Sequence, residues 1–468
     1  MNVSLPSQPA PRSRLLLRQS LVFAALSAAS IAGPAALSAQ QVGDVFYIAM
    51  ENHNWTQPNG NVTPAGASTG TLSTIQQLFG NSAAPFINSL VTPGNPNAAQ
   101  VSYASAYYNV LATPNGANPS IHPSEPNYIW HEGGSNFGVA NDNDPYVLTG
   151  TATNVSDAPT VTSLLQAKGG TWKSYQEGID LVPTSGKVNQ PGANSLTNTV
   201  APVDQHTVPL KSFSGTSPTY TNPYNGSHQY NFAAKHDGQL FFTGSNGGTV
   251  TTPDFTPGNL AVPHYQPLEQ LSLDLAANTV GRYNFITPDQ YNDMHTVLTG
   301  GFTYNGIHYT GDSAAIAQGD NFLSIVVPMI MASDAYKNNG AIVIWNDEVE
   351  PQAPGDTHQN DFSHSSMEIV ISPLAKGNAY NSVLTYTHSS DVETLQELFG
   401  VGPDQGIPFI GQTTSDVAGN RDLADLFVPG AIPTATPVPE PATTGVIGAS
   451  LLGGLIFLRR RKALAASR

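Results

Sequence analysis

The pattern of apolar positions predicts short buried strands that alternate with helices. Residues 341–345, Ala-Ile-Val-Ile-Trp, form a continuous apolar run after an Asn-Asn-Gly breaker. Such a run is typical of a strand that is buried on both faces. Residues 44–50, Asp-Val-Phe-Tyr-Ile-Ala-Met, predict the first strand after the N-terminal segment, and further strands are predicted at 281–288 and 367–372.

Apolar residues at helical spacing predict helices between these strands. The segments are 71–78, 85–90, 162–167, 319–330 and 392–399. In the fourth segment, Asp320 has the character of a helix N-cap. The 468 residues suffice for one large α/β domain or two smaller ones.

Two of the predicted strands run directly into acidic and amide side chains. Residues 44–50 are followed by Glu51 and Asn52, and residues 341–345 lead into Asp347 and Glu348. Because open α/β sheets bind ligands beyond the carboxyl ends of their strands, these side chains are candidates for hard-cation ligands or acid/base groups. The alternatives are a solvated loop start and local capping of a turn.

The N-terminal segment has the layout of a cleaved export signal. Three arginines precede an apolar run at 21–36, and small residues follow it. The sequence therefore predicts that residues 1–39 are a signal peptide and that the protein leaves the cytoplasm.

The C-terminal segment resembles a second address signal. A Pro-rich stretch at 432–441 leads into the uncharged residues 443–458, which are followed at once by Arg-Arg-Arg-Lys. This apolar segment is marginal for spanning roughly 30 Å of hydrocarbon, and basic residues just behind it favour a cytoplasmic tail. The order Val-Pro-Glu-Pro, apolar segment and arginine cluster resembles the PEP-CTERM sorting signal of Gram-negative bacteria, whose tail is processed by an exosortase. A plain membrane anchor is the alternative.

Charge and cysteine content exclude several functions. The net charge is −16 at pH 7, and nearly half of the 17 Lys and Arg residues lie in the two terminal segments. The rest of the chain is therefore strongly acidic, which disfavours nucleic acid and anionic membranes and favours divalent cations. The chain has no cysteine, which excludes thiol nucleophiles, Cys-zinc sites and the cysteine that many sulfatases convert to an aldehyde.

Ser124 is a candidate nucleophile. It lies between Pro123 and Pro126, which restrict the backbone around it. A Pro-Ser turn without catalytic function has the same pattern.

The sequence around Ser124 resembles a known family. The block Ser-x-Pro-Asn-Tyr, the Gly-Gly-Ser and Gly-Val loop behind it and the earlier strand ending in Glu-Asn are similar to the phosphoesterase family of bacterial acid phosphatases and phospholipases C, in the alkaline phosphatase superfamily. Further similar blocks follow in the family's order at 172–177, 234–237, 292–295 and 319–348. The resemblance covers about 44–427 and implies a doubly wound α/β sandwich with a mostly parallel central sheet.

The resemblance also implies site roles. Ser124 would take the phosphoryl group, and a divalent metal ion, with Ca, Zn, Mg and Mn all open, would be held by Glu51, Asn52, Asp347 and Glu348. The residues that would surround the phosphate or a second ion are Asn141, Lys235, His236, Asp293, His295 and His364. A solvated surface pair is the alternative for Lys235 and His236. His388, in a second His-Ser-Ser element, is assigned to the start of its helix.

Two departures from the family pattern concern the site. Relatives often have Ser-Gly-Ser where this chain has Gly-Gly-Ser, so Ser135 remains a rival nucleophile. Glycine commonly follows the family's acidic pair, whereas Val349, Glu350 and Pro351 follow it here.

The sequence thus predicts a signal peptide (1–39), a phosphoesterase catalytic domain (40–430) with a loop-rich insertion (185–263), and a linker with a sorting segment (431–468). The predicted function is an exported metal-dependent hydrolase of phosphomonoesters or phosphodiesters, of acid phosphatase or phospholipase C type, acting through a phosphoseryl intermediate. It would be located at the cell surface or outside the cell, transiently anchored by its C-terminal segment. Its partners would be a phosphoester substrate and exosortase-type machinery, with no nucleic acid. The alternative is an inactive surface or matrix protein that keeps the fold.

Overall fold

An eight-stranded sheet lies at the centre of the computed structural model. The structure describes residues 40–58, 60, 75–109, 122–147, 153–179, 186–187, 190–191, 206–351, 363–410 and 422–433. The strands are β1 (Val45–Met50), β2 (Val101–Tyr108), β3 (Trp172–Gln176), β4 (Gly186–Lys187), β5 (Gln190–Pro191), β6 (Phe213–Thr216), β7 (Gln229–Phe232), β8 (Tyr265–Pro267), β9 (Tyr283–Thr287), β10 (Phe302–Tyr304), β11 (Ile307–Tyr309), β12 (Ala341–Asn346), β13 (Glu368–Ile371) and β14 (Tyr380–Thr387). The α-helices are α1 (Pro85–Leu90), α2 (Ser124–Gly133), α3 (Val161–Ala167), α4 (Thr243–Asn246), α5 (Gln270–Ala277), α6 (Asp312–Met331), α7 (Asp334–Lys337) and α8 (His388–Leu398).

The sheet has the strand order β14-β2-β13-β12-β1-β9-β3-β8 and is mostly parallel. β1 pairs in parallel with β12 and β9, β3 with β9 and β8, and β14 with β2. β13 is antiparallel to both of its neighbours, β12 and β2. The predicted α/β fold with a mostly parallel central sheet is therefore confirmed.

Helices cover both faces of the sheet. Side chains alternate along β1, so that Val45 and Tyr47 belong to one apolar core and Phe46 and Ile48 to the other. Helices α2, α3 and α8 contribute apolar side chains to the first core, and α1, α5 and α6 contribute to the second. The protein is thus a three-layer sandwich, as the predicted doubly wound architecture requires.

Most predicted helices are present, with two corrections. Residues 75–78 are not helical, although a helix was predicted at 71–78, and residues 71–74 lie outside the described part. The helix predicted from residue 319 begins at Asp312, so Asp320 lies inside α6 and cannot be its N-cap. Its carboxylate instead accepts hydrogen bonds from the backbone N–H groups of Phe86 (2.9 Å) and Ile87 (2.8 Å), at the start of α1.

Helix α6 is a core helix. With 20 residues, the helix is long and apolar enough to cross a membrane, but most of it is buried inside the protein. The predicted signal peptide and sorting segment lie outside the described residues. Within the predicted insertion, the described residues 206–263 include the short hairpin β6–β7 and helix α4.

Candidate active site

The two strands that end in acidic residues are neighbours. β1 and β12 pair in parallel, with Met50 opposite Asn346 at the last register position. Glu51 therefore leaves the sheet at the same edge as Asp347 and Glu348. The sequence predicts this proximity of the two strand ends. All three carboxylates are buried.

Ser124 lies next to these carboxylates at the start of a helix. It is the first residue of α2, and its Oγ lies 3.0 Å from Glu51 Oε2 and 3.3 Å from Glu348 Oε1. The positive end of the helix dipole is at this terminus, where it stabilises negative charge. The fold thus brings a buried hydroxyl to the edge of the sheet where the acidic residues converge.

Several oxygen atoms at this edge have no hydrogen-bond partner among the described residues. They include both carboxylate oxygens of Asp347 and Oδ1 of Asn52. Asn52 has a left-handed backbone conformation, with φ near 50°. Buried acceptors without donors are costly, and carboxylate and amide oxygens are the ligands of hard cations. These oxygen atoms therefore fit as ligands of a divalent cation.

The acidic side chains are strongly perturbed. Burial, and then the charge of Asp347, raise the pKa of both Glu51 and Glu348 well above the ordinary value. Burial raises the pKa of Asp347 to about 7. Concentrated buried negative charge of this kind calls for protons or a cation.

Tyr128 and His236 form one wall of the site. The Tyr128 hydroxyl donates to Glu51 Oε1 at 2.7 Å, and its ring stacks on His236 with the centroids 5.1 Å apart. His236 lies between two carboxylates, with Nε2 3.2 Å from Glu51 Oε1 and Nδ1 3.3 Å from Asp293 Oδ2. Burial lowers the pKa of His236 well below its ordinary value, which favours the neutral imidazole.

Lys235 and His295 lie beside this wall. Lys235 Nζ lies 2.7 Å from Asp142 Oδ2. Burial lowers the pKa of Lys235, but the carboxylates of Glu51 and Asp142 more than offset this, so the ammonium stays charged. The ring of His295 lies 5.9 Å from that of His236, and burial lowers the pKa of His295 to about 4.

The structure also gives contacts for Asn141, Ser135 and His364. The amide of Asn141 exchanges hydrogen bonds with Asn154 in a loop. Ser135 follows α2, whose ten residues put it on the order of 15 Å along the helix from Ser124, and its Oγ accepts from the N–H of Phe137 at 3.1 Å. His364 is buried just before β13, with Nδ1 3.1 Å from Ser363 Oγ.

Comparison with known proteins identifies the family. A sequence profile of the Phosphoesterase family matches residues 99–402, and a profile of the PEP-CTERM protein-sorting motif matches residues 437–462. The chain belongs to the Phosphoesterase family. Family membership makes it a phosphoesterase-type hydrolase. The resemblance to this family and the resemblance to the PEP-CTERM signal are both confirmed.

The chain is also similar to solved structures at low sequence identity. One is the lipoteichoic acid synthase LtaP from Listeria monocytogenes, with 10% identity over 82% of this chain and 78% of that chain and a TM-score of 0.43. Another is the PsFucS1 sulfatase from Pseudoalteromonas sp., with 11% identity over 82% and 73% and a TM-score of 0.42. A third is a protein in the alkaline phosphatase superfamily from Vibrio parahaemolyticus, with 10% identity over 82% and 72% and a TM-score of 0.41. No curated protein sequence matches the chain.

Two residues outside the predicted set, Asn127 and His388, support the site of this phosphoesterase family member. His388 Nε2 lies 2.7 Å from the main-chain oxygen of Asp347 and 3.0 Å from Asn127 Oδ1. Because both partners are acceptors, Nε2 carries the proton. Burial lowers the pKa of His388 to about 3, which keeps the ring neutral. The amide of Asn127 is thereby oriented so that its Nδ2 donates to Glu348 Oε2 at 3.3 Å.

A further group of ligand-type side chains adjoins the site. His122 Nδ1 lies 2.6 Å from Glu348 Oε2. One ligand atom from each of His122, Glu348 and Glu350 lies within 4.8 Å of the others. His122 precedes Ser124 by two positions, so this group borders the candidate nucleophile.

Proposed function

We propose that this protein is an exported metal-dependent phosphoesterase that hydrolyses phosphomonoesters or phosphodiesters through a phosphoseryl intermediate. The observation that carries the proposal is the position of Ser124 Oγ, at the start of α2 and within 3.3 Å of Glu51 and Glu348. The unpartnered oxygens of Asp347 lie at the same edge of the sheet. A nucleophile, oxygen ligands and buried negative charge in one place are what phosphoryl transfer to serine requires.

In this proposal, Glu51, Asn52, Asp347 and Glu348 hold the cation. A divalent ion bound there would lower the pKa of the serine hydroxyl and offset charge on the phosphate oxygens. The four residues supply only oxygen atoms, which suits Ca²⁺, Mg²⁺ or Mn²⁺ and also accommodates Zn²⁺.

The side chains of the site would divide the remaining work. Ser124 Oγ forms the bond to phosphorus while the bond from phosphorus to the alcohol oxygen breaks. Glu51 Oε2, at 3.0 Å, is the nearest acceptor for the hydroxyl proton. Lys235 supplies positive charge beside the phosphate, and the neutral His236 and His295 are suited to donate or accept hydrogen bonds there. Water then attacks phosphorus, the bond from phosphorus to Ser124 Oγ breaks, and the serine hydroxyl is restored by a proton. The product is phosphate from a monoester and a phosphomonoester from a diester.

We also infer the protein's route and location. The PEP-CTERM motif implies export and processing by an exosortase-type enzyme. We propose that residues 1–39 direct export, that the C-terminal segment anchors the protein transiently, and that the mature domain acts at the cell surface or outside the cell.

Hydrolysis assays test the activity. Purified protein is assayed with chromogenic phosphomonoesters, chromogenic phosphodiesters and phosphatidylcholine, with and without a chelator, beside the Ser124→Ala variant. We expect chelator-sensitive hydrolysis of at least one ester by the wild type and none by the variant. A wild type that binds metal but hydrolyses no ester of the panel would favour the inactive surface or matrix protein instead.

A further inference from the structure

Glu348 faces two different groups with its two carboxylate oxygens. Oε1 lies 3.3 Å from Ser124 Oγ, on the side of the proposed cation. Oε2 lies 2.6 Å from His122 Nδ1 and 3.3 Å from Asn127 Nδ2. A carboxylate with this orientation is suited to serve two neighbouring positions at once.

Glu350 supplies the other carboxylate of the group formed with His122 and Glu348. The backbone N–H of Glu350 donates to Asn54 Oδ1 at 2.8 Å, and Asn54 Nδ2 donates to the Glu350 carbonyl oxygen at 2.8 Å. Asn54 is itself fully buried. This paired contact fixes the main chain from which the Glu350 carboxylate projects, and a fixed ligand loses little entropy when it binds an ion.

The charges around this second position are unbalanced. Glu348 and Glu350 lie beside Asp347, whose carboxylate oxygens are buried without a hydrogen-bond partner among the described residues. Two ionised carboxylates with ligand oxygens within 4.8 Å of each other repel. A divalent cation between them would convert this repulsion into attraction.

We propose that His122, Glu348 and Glu350 form a second divalent-cation site, next to the position held by Glu51, Asn52 and Asp347, with Glu348 shared by both. The proposal rests on the proposed function, because it assumes the first cation. One imidazole nitrogen and two carboxylates suit Zn²⁺ or Mn²⁺ better than Ca²⁺. Glu350 stands in the segment where glycine commonly follows the family's acidic pair, so the second site comes from a feature of this chain.

Metal content tests the proposal. The full chain is stripped with a chelator, reloaded with excess Zn²⁺, dialysed and analysed by mass spectrometry for zinc per chain. We expect two ions in the wild type, one in Glu350→Gln and one in His122→Ala. The control His264→Ala, which removes a histidine stacked on Trp172, should keep two. One ion in the wild type, or two ions in both variants, would overturn the second site and show that His122 only forms an ion pair with Glu348.

A second measurement does not depend on how the variants fold. Anomalous diffraction from zinc-soaked crystals of the wild type should show a peak about 2.0–2.2 Å from a nitrogen of His122 and from an oxygen of Glu350. A single peak among Glu51, Asn52 and Asp347 would overturn the second site while leaving the proposed function intact. Failure of the proposed function is recognised separately, as a zinc-loaded wild type that hydrolyses no phosphoester.

Discussion

Replacement of Tyr128 by phenylalanine isolates one contact that orients a proposed metal ligand. The Tyr128 hydroxyl donates to Glu51 Oε1 at 2.7 Å, and both side chains are buried. The phenyl ring keeps the stacking on His236 and removes only the hydroxyl. Glu51 then loses a donor that holds one of its oxygens, so its other oxygen is less well fixed toward Ser124.

The expected size of the effect follows from the type of bond. A hydrogen bond to a charged group is worth about 1.5–3 kcal/mol. Loss of a residue that orients a metal ligand typically costs 10–100-fold in metal affinity or activity, which is about 1.4–2.8 kcal/mol. The two ranges agree, and we therefore expect Tyr128→Phe to weaken Mn²⁺ binding 10–100-fold and to lower kcat/KM by a similar factor.

Calorimetric titration of the chelator-treated protein with Mn²⁺ measures the affinity, and hydrolysis of a chromogenic phosphomonoester measures kcat/KM. Tyr175→Phe is the matched control. Tyr175 lies on strand β3, and its hydroxyl also donates to a carboxylate oxygen, Asp274 Oδ2, at 2.8 Å. Tyr175→Phe should leave Mn²⁺ affinity unchanged. If Tyr128→Phe binds Mn²⁺ within twofold of the wild type, Tyr128 does not orient Glu51 and the reasoning is refuted.

Three further predictions concern stability and processing. Asp320→Ala leaves two backbone N–H groups at the start of α1 without their acceptor, and we expect it to lower the free energy of unfolding in urea by about 2 kcal/mol or more. Asp320→Asn should cause a smaller loss. Equal losses in the two variants would contradict the capping role. Burial raises the pKa of Glu177 and of Asp289 to about 8, so the folded state binds more protons than the unfolded chain between about pH 4 and 8. The melting temperature should therefore fall as the pH rises through this window, and Asp289→Asn should flatten the fall; an unchanged profile in that variant would refute this cause. Mass spectrometry of surface-released protein should find neither residues 1–39 nor residues 459–461, and released protein that retains 459–461 would contradict processing.

The adjacency of the two acidic strand ends could be predicted because the information for it is local in the sequence. The apolar runs of β1 and β12 mark buried strands, and the polar residues directly after them mark the strand ends. The general rule that parallel strands deliver their ligands to one edge then places Glu51 beside Asp347. The direction of β13 was not predictable in this way, since a buried run has the same composition in either direction.

Asp320 shows why some elements were misjudged. After Gly319 and before an apolar helical pattern, an aspartate has the local signature of an N-cap. In the fold it lies in the middle of α6, and its carboxylate satisfies the first turn of α1, more than 200 positions away in the chain. Only the packing of the two helices reveals that partner.

The supporting residues of the site were missed for a similar reason. His388 stands 41 positions after Asp347, so nothing local in the sequence connects the two residues. Strand β14, which pairs with β2, carries His388 to the sheet edge, where its ring contacts the main chain of Asp347. The roles of Asn127 and Tyr128, three and four positions after Ser124 on α2, likewise depend on which carboxylates face that helix.

Trapping the phosphorylated enzyme tests the central claim most directly. The metal-loaded protein is mixed with a ³²P-labelled phosphoester, quenched at low pH and digested, and the labelled peptide is mapped. We expect the label on Ser124, no label in Ser124→Ala although that variant still folds and binds metal, and nearly normal labelling in Ser135→Ala. Label on Ser135 would move the nucleophile to the far end of α2, and the absence of any phosphoserine in a protein that turns over its substrate would contradict the proposed mechanism.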